Sequence, residues 1–276
     1  MTKRKIGKTL LYGLLGIYAV ISLYPLVWMA FYSLKSNEEI FVTNPFGPPL
    51  KPLPGNYYRA ATEFNILVYF KNSILISAAA LFIGIMCALM FTYVVARVKT
   101  RTTDSLRSIV ILGMFIPIQA VMTPLVVMVK SLHLTNTHWA LIIPYAALSF
   151  PFAVMVLYGF YASLPIELEE SAYIEGASFY QAYFKVILPQ MKSVIMVLLI
   201  YQFMSNWNEF SLALVLITKD ALKTLPLGLV AFTGQFSTDW GPVGASLVMA
   251  SLPVILLYIF FSDEVGDAMV LSGMKN

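Results

Sequence analysis

Six long stretches almost empty of charge constrain this chain more than any other feature. They run over 9–34, 72–96, 108–129, 139–166, 193–218 and 241–262, and each is 22 to 28 residues long. Only the fifth holds a charged residue, Glu209. A bilayer core of about 30 Å needs roughly 20 apolar residues in helix, so every stretch is long enough to span. The runs are continuous rather than alternating, which favours helices over barrel strands. Overall, 12% of residues are charged and 59% hydrophobic, against about 25% charged in a soluble domain. That is too little polar surface for a soluble enzyme, a disordered regulator or a nucleic-acid binder. One cysteine, Cys87, lies inside an apolar run, so neither an internal disulfide nor a cysteine metal cluster is expected. The expected fold is all-α integral membrane, with six transmembrane helices.

The net charge of +4 matters less than its placement. Lys and Arg in short loops favour the cytoplasm. Lys3, Arg4, Lys5 and Lys8 precede the first stretch, and Arg97, Lys99, Arg101 and Arg107 follow the second. The loop after the third has only Lys130 at its edge. Both termini are therefore expected in the cytoplasm. The first stretch is too long for a signal-peptide core and lacks a small-residue cleavage site after it, so it reads as an uncleaved helix. The segment between Lys35 and Lys71 holds Pro45, Pro48, Pro49, Pro52 and Pro54. It is expected to be irregular and to lie across the outer surface. The segment from Lys219 to Trp240 is expected outside, with Trp240 as an interfacial anchor. The chain thus divides into 1–70, a helix with a proline-rich external segment; 71–262, a five-helix core; and 263–276, a cytoplasmic tail.

The cytoplasmic loop at 163–190 is acidic, with Glu167, Glu169, Glu170 and Glu175 against Lys185. Local rules parse it as two short helices. Ser163 is expected to cap the first and Pro165 to sit in its first turn, with the acids at its positive end. Gly176 is expected to end it at positive φ. Ser178 and Gln181 form a capping-box pattern for the second, which Pro189 is expected to terminate.

Glu170-Ser171-Ala172, then Gly176 after three residues, then Val186-Ile187-Leu188-Pro189 after nine more, resembles the EAA loop of ABC-importer permeases. Ser171 stands where that pattern has Ala. Tyr24-Pro25-Leu26-Val27-Trp28, Ser33-Leu34-Lys35, Asn72-Ser73, Trp207-Asn208-Glu209-Phe210 and Leu225-Pro226-Leu227-Gly228-Leu229 are similar to the carbohydrate-uptake branch, in its MalG-like subunit. The resemblance implies the type I importer permease (MetI-like) fold in a bacterial cell membrane. It implies that the EAA element is a coupling helix seated in a cytoplasmic ATPase, with Glu170, Ser171, Ala172, Gly176, Leu188 and Pro189 as its motif residues. Implied partners are a second, MalF-like permease, two copies of the ATPase and an extracytoplasmic solute-binding protein. ATP and Mg would be bound by the ATPase, and no cofactor by this chain. The tail departs from the family's Gly-x-x-x-Gly-Ala-Val-Lys ending, since 268–275 follows an acidic stretch of Asp263, Glu264 and Asp267.

The residues themselves supply no engine. A P-loop needs a second glycine ahead of Gly7-Lys8-Thr9, but Thr2 occupies that position. His133 and His138 have no third ligand nearby in sequence, and no nucleophile–His constellation is visible. In the fifth stretch, Gln202, Ser205, Asn206 and Glu209 fall at i, i+3, i+4 and i+7, on one helical face. A carboxylate in lipid should face the bundle interior or water. With Trp207 and Asn208 beside it, this stripe suits a hydroxyl-rich solute; it would equally bond neighbouring helices, and the two roles are compatible. Pro117, Pro124, Pro144, Pro151 and Pro253 are expected to interrupt the third, fourth and sixth stretches. Gly13/Gly16 and Gly241/Gly244 are spaced by three, so neither is a GxxxG dimer motif. Import of a sugar or oligosaccharide is the reading the resemblance favours. An importer for glycerol phosphate or another organic solute stays open within the family, and a self-sufficient secondary carrier outside it; the latter should carry coupling charges in several spans.

Overall fold

The computed structural model describes residues 2–230 and 239–273. All regular structure among them is helical. Thr2–Tyr32 forms α1, unbroken by Pro25. A single π turn at Glu39–Thr43 and the short α2 (Gly55–Thr62) follow. Ile66–Arg97 forms α3. Arg101–Leu112 (α4) and Ile118–Ser131 (α5) flank a 3-10 turn. Trp139–Ser163 forms α6. The acidic element holds α7 (Glu167–Ile174), α8 (Phe179–Gln181), a π turn and α9 (Leu188–Gln190). Then come α10 (Lys192–Trp207), α11 (Ser211–Leu216), α12 (Leu225–Leu229) and α13 (Trp240–Gly273). The last helix runs through much of the stretch expected to be a separate tail; 274–276, like 231–238 of the outer segment, lie outside the described residues.

Among the described residues, four helices are long and apolar enough to cross a membrane, or up to six crossings if each of two bent pairs is counted as one. The first bent pair replaces a straight third span: α4 with its 3-10 turn meets α5 at 103°. Pro117 causes the break. It has no N–H to donate, and it holds Ile116 extended, at φ −83 and ψ 110. The other prolines expected to interrupt helices do not do so. Pro124, Pro144, Pro151 and Pro253 all lie inside continuous helices. The second bent pair joins residues 179–190 to α10 at 69°. The fifth stretch is also broken near its far end, at Asn208–Phe210 between α10 and α11.

The chain divides into two compact units, one of 1–67 with 228–253, the other of 68–227 with 254–276. In the first, the proline-rich segment is ordered by a buried lysine. Lys35 Nζ donates to the carbonyls of Asn44 at 2.6 Å and Gly47 at 2.7 Å. Glu39 Oε1 accepts from Leu50 N at 2.5 Å. The segment is thus not wholly irregular, since a π turn and α2 bracket its prolines. Gly241 and Gly244 let α13 approach closely: a Cβ at Gly241 would sit 2.5 Å from Asn56 Nδ2 and 2.7 Å from the Lys35 carbonyl. In the second unit, Ile76, Leu141, Tyr145, Leu212 and Leu216 belong to one buried apolar cluster. It seats α11 against the helices that carry the candidate site.

Candidate functional site

Two helix breaks and one helix face build a cavity of about 240 Å³ in the second unit. Met114 and Ile118 flank the Pro117 break and close one side. Tyr145, Leu148, Ser149 and Phe152, spaced i, i+3, i+4 and i+7 on α6, form a second wall. Gln202, Ser205 and Asn206 of α10 form a third, with Tyr201 beside them and Glu209 beyond the helix end. All four residues of the predicted stripe therefore meet at one cavity, though they do not share one helix. Trp207 and Asn208 are absent from its lining. Trp207 is buried, stacked on Phe203 at 5.3 Å and edge-on to Phe70 at 5.4 Å. Asn208 is exposed and donates from Nδ2 to the Met204 carbonyl at 2.8 Å.

Glu209 occupies the break because its carboxylate repairs it. Oε1 accepts from Leu212 N at 2.7 Å, and Oε2 from Ala213 N at 3.3 Å and from Tyr145 Oη at 2.6 Å. The first two donors are free N–H groups of α11, which an oxygen placed before the helix satisfies. Non-helical backbone at membrane depth is tolerated where protein buries it or where it lines a cavity, and both conditions hold here. On the α10 wall, two polar atoms are buried without a partner: Gln202 Oε1 and Asn206 Nδ2. Gln202 itself is 1% exposed, and its Nε2 donates to the Ser149 carbonyl at 3.3 Å. Phe152 and Tyr201 pack with ring centroids 4.4 Å apart, and Tyr201 is an exposed side chain. The lining holds no Lys or Arg.

The acidic element is compact. Gly176 takes φ +84 and ends α7, with Ala177 N donating to the Ala172 carbonyl at 2.9 Å. The Ser178–Gln181 capping box forms with both bonds. Ser163 does not cap α7. Its Oγ donates to the Phe160 carbonyl, because α6 continues to Ser163 and Leu164 is held extended before Pro165. Pro189 does not end the second helix either. It sits at the start of α9, where a missing N–H costs little, after a π turn at Ala182–Ile187; the bend comes at Met191. Glu170, Ser171, Gly176 and Pro189 are exposed, Ala172 is buried and Leu188 half-buried.

One acid of the four behaves differently, and sequence reasoning gave no sign of it. Glu169 is 5% exposed. Its Oε1 accepts from Arg97 Nε at 2.5 Å and its Oε2 from Tyr93 Oη at 2.8 Å. Arg97 Nη1 also donates to the Tyr161 and Leu164 carbonyls at 3.2 and 3.4 Å. Arg97 thus ties the end of α3 to both the end of α6 and the start of the acidic element. Next to this anchored side the element presents Ile174, 87% exposed, among the exposed Glu167, Glu170 and Glu175.

Residues 80–263 match the model of one family, the binding-protein-dependent transport system inner membrane components. The chain belongs to this family. The matched region contains the whole cavity and the whole acidic element. The permease is 30% identical to the sulfoquinovosyl glycerol transport system permease SmoH of Agrobacterium fabrum, over 98% of this chain and 94% of the relative. It is 31% identical to the diacetylchitobiose uptake system permease NgcG of Streptomyces coelicolor, over 93% of this chain and 85% of the relative. Its fold matches a chain of a bacterial ABC transporter that imports the acidic polysaccharide alginate, with TM-score 0.82 and 21% identity over 95% and 98% of the two chains.

Proposed function

We propose that this permease is the membrane subunit of an ATP-driven importer that moves a sugar or oligosaccharide into the cell. The observation that carries the reading is full-length similarity to permeases of sugar-uptake systems, spanning an acidic element built to meet another protein. An 87%-exposed isoleucine on an element with three exposed carboxylates, Glu167, Glu170 and Glu175, suits a protein groove, whereas those exposed acids suit an anionic inner leaflet badly. The partners are a second, MalF-like permease, two cytoplasmic ATPase copies that bind ATP and Mg, and an extracytoplasmic solute-binding protein. The chain itself performs no catalysis, and both termini are cytoplasmic. Glu170, Ser171, Ala172, Gly176, Leu188 and Pro189 shape the coupling element. Closure of the ATPases moves it, Arg97 carries the movement into α3 and α6, and the cavity walls change their access. ATP must bind the outward-facing state more tightly for this to work. Gln202, Ser205, Asn206 and Glu209 line the path, while Trp207 and Asn208 lie outside the cavity lining.

Co-purification tests the coupling claim. Ile174→Asp and Glu170→Lys, made singly in the assembled importer, are expected to release the ATPase while retaining the second permease. Full retention of the ATPase by both variants would contradict this reading.

A further inference from the structure

The cavity's chemistry goes beyond a pathway wall. Gln202 Oε1 is an acceptor and Asn206 Nδ2 a donor, one helical turn apart on α10, both buried and both without a partner among the described residues. Leaving two such groups unpaired is costly. Both residues line the cavity, and once the two amides turn into it a single hydroxyl answers both, since it donates one bond and accepts another. Phe152 of α6 and Tyr201 of α10 offer an apolar aromatic surface beside the polar one. A pyranose ring has the matching shape, with C–H groups on its faces and hydroxyls around its edge. The volume of about 240 Å³ falls below the roughly 300–1,000 Å³ of clefts that enclose a drug-sized ligand, so it suits one ring rather than a whole oligosaccharide. The only charged residue in the lining is Glu209, with no cation beside it.

We infer that this subunit holds one ring of a neutral sugar in the cavity, with a hydroxyl bridging Gln202 and Asn206 and the ring against Phe152 and Tyr201, and that Glu209 disfavours sugars carrying carboxylate, sulfonate or phosphate. The inference rests on the carbohydrate reading above and deepens it. A like charge in a partly desolvated site is repelled.

The test is uptake by the complete importer in proteoliposomes with its binding protein and ATP. The external mixture contains maltodextrins, diacetylchitobiose, arabino-oligosaccharides and uronic-acid oligomers, and vesicle contents are read by mass spectrometry. Wild type is expected to accumulate neutral oligomers. Asn206→Ala and Gln202→Leu are expected to lower that uptake about tenfold at limiting substrate, the scale of a lost hydrogen bond. Asn206 Nδ2 has no partner to lose, so the thermal midpoint of the Asn206→Ala complex should hold or rise, whereas Gln202→Leu also gives up the bond to the Ser149 carbonyl. Glu209→Gln keeps an acceptor for α11 and is expected to raise uronate uptake relative to neutral. Neutral uptake unchanged in both α10 variants would overturn the subsite and leave the importer reading intact. Loss of the second permease from those variants would make the pair interface glue and also overturn it. Uronate uptake equal to neutral in wild type would overturn the charge selection. No uptake of any sugar would overturn the carbohydrate reading, and the subsite with it.

Discussion

Glu169 and Arg97 form the most consequential pair outside the cavity. Their side chains are 7% and 14% exposed, so removing one partner strands the other in a poorly solvated place. Glu169→Gln is expected to destabilise the permease by about 3 kcal/mol, read as a lower thermal midpoint of the detergent-purified complex. Changing Arg97 to Met in that background should recover part of the loss. Gly176 is a second sensitive position for a different reason. Its φ of +84 is a left-handed conformation that costs a side-chain-bearing residue roughly 1–2 kcal/mol. Gly176→Ala is therefore expected to weaken ATPase docking more than Ser171→Ala, measured as the salt at which the ATPase dissociates. Gly176 was legible from sequence because its role is local. Glu169 was not, because Arg97 lies 72 residues away, and no neighbour distinguishes Glu169 from Glu170.

At the scale of elements, the same division between local and distant causes recurs. Helix spans, the capping box at Ser178 and the αL end of α7 depend on residues within a few positions, and the sequence states them. The break at Asn208–Phe210 depends on Glu209 reaching back to α11 and across to Tyr145, so periodicity alone extends the helix through it. The proline rule fails in a related way. Of the prolines expected to interrupt helices only Pro117 does so, while Pro124, Pro144, Pro151 and Pro253, like Pro25, lie inside continuous helices, and packing decides which. Glu209→Ala should therefore do more than remove a charge. It is expected to cost about 1 kcal/mol of cap energy and to raise deuterium exchange at the amides of Leu212 and Ala213, whereas Glu209→Gln, which keeps one acceptor oxygen, should retain protection at Leu212. Equal protection in all three proteins would show that α11 does not need the cap.

For the whole molecule, composition says membrane, while function rests on the few polar positions that break it. Arg97 and Glu169 tie the cytoplasmic element to two membrane helices. Gln202, Asn206 and Glu209 converge on a cavity made by two helix breaks. The cavity was half legible: the α10 stripe gives one wall, and Tyr145 and Ser149 carry the same spacing in the span before it. Met114 and Ile118 enter only because Pro117 turns the chain by 103°. The central claim is that this chain moves solute only as a subunit driven by ATP bound elsewhere. Uptake of a labelled neutral oligosaccharide into proteoliposomes measures it most directly, comparing the lone chain with the complete importer. The expected result is uptake that needs the second permease, the ATPase, the binding protein and ATP together, and none by the lone chain under a proton or sodium gradient. Gradient-driven uptake by the lone chain would contradict the account.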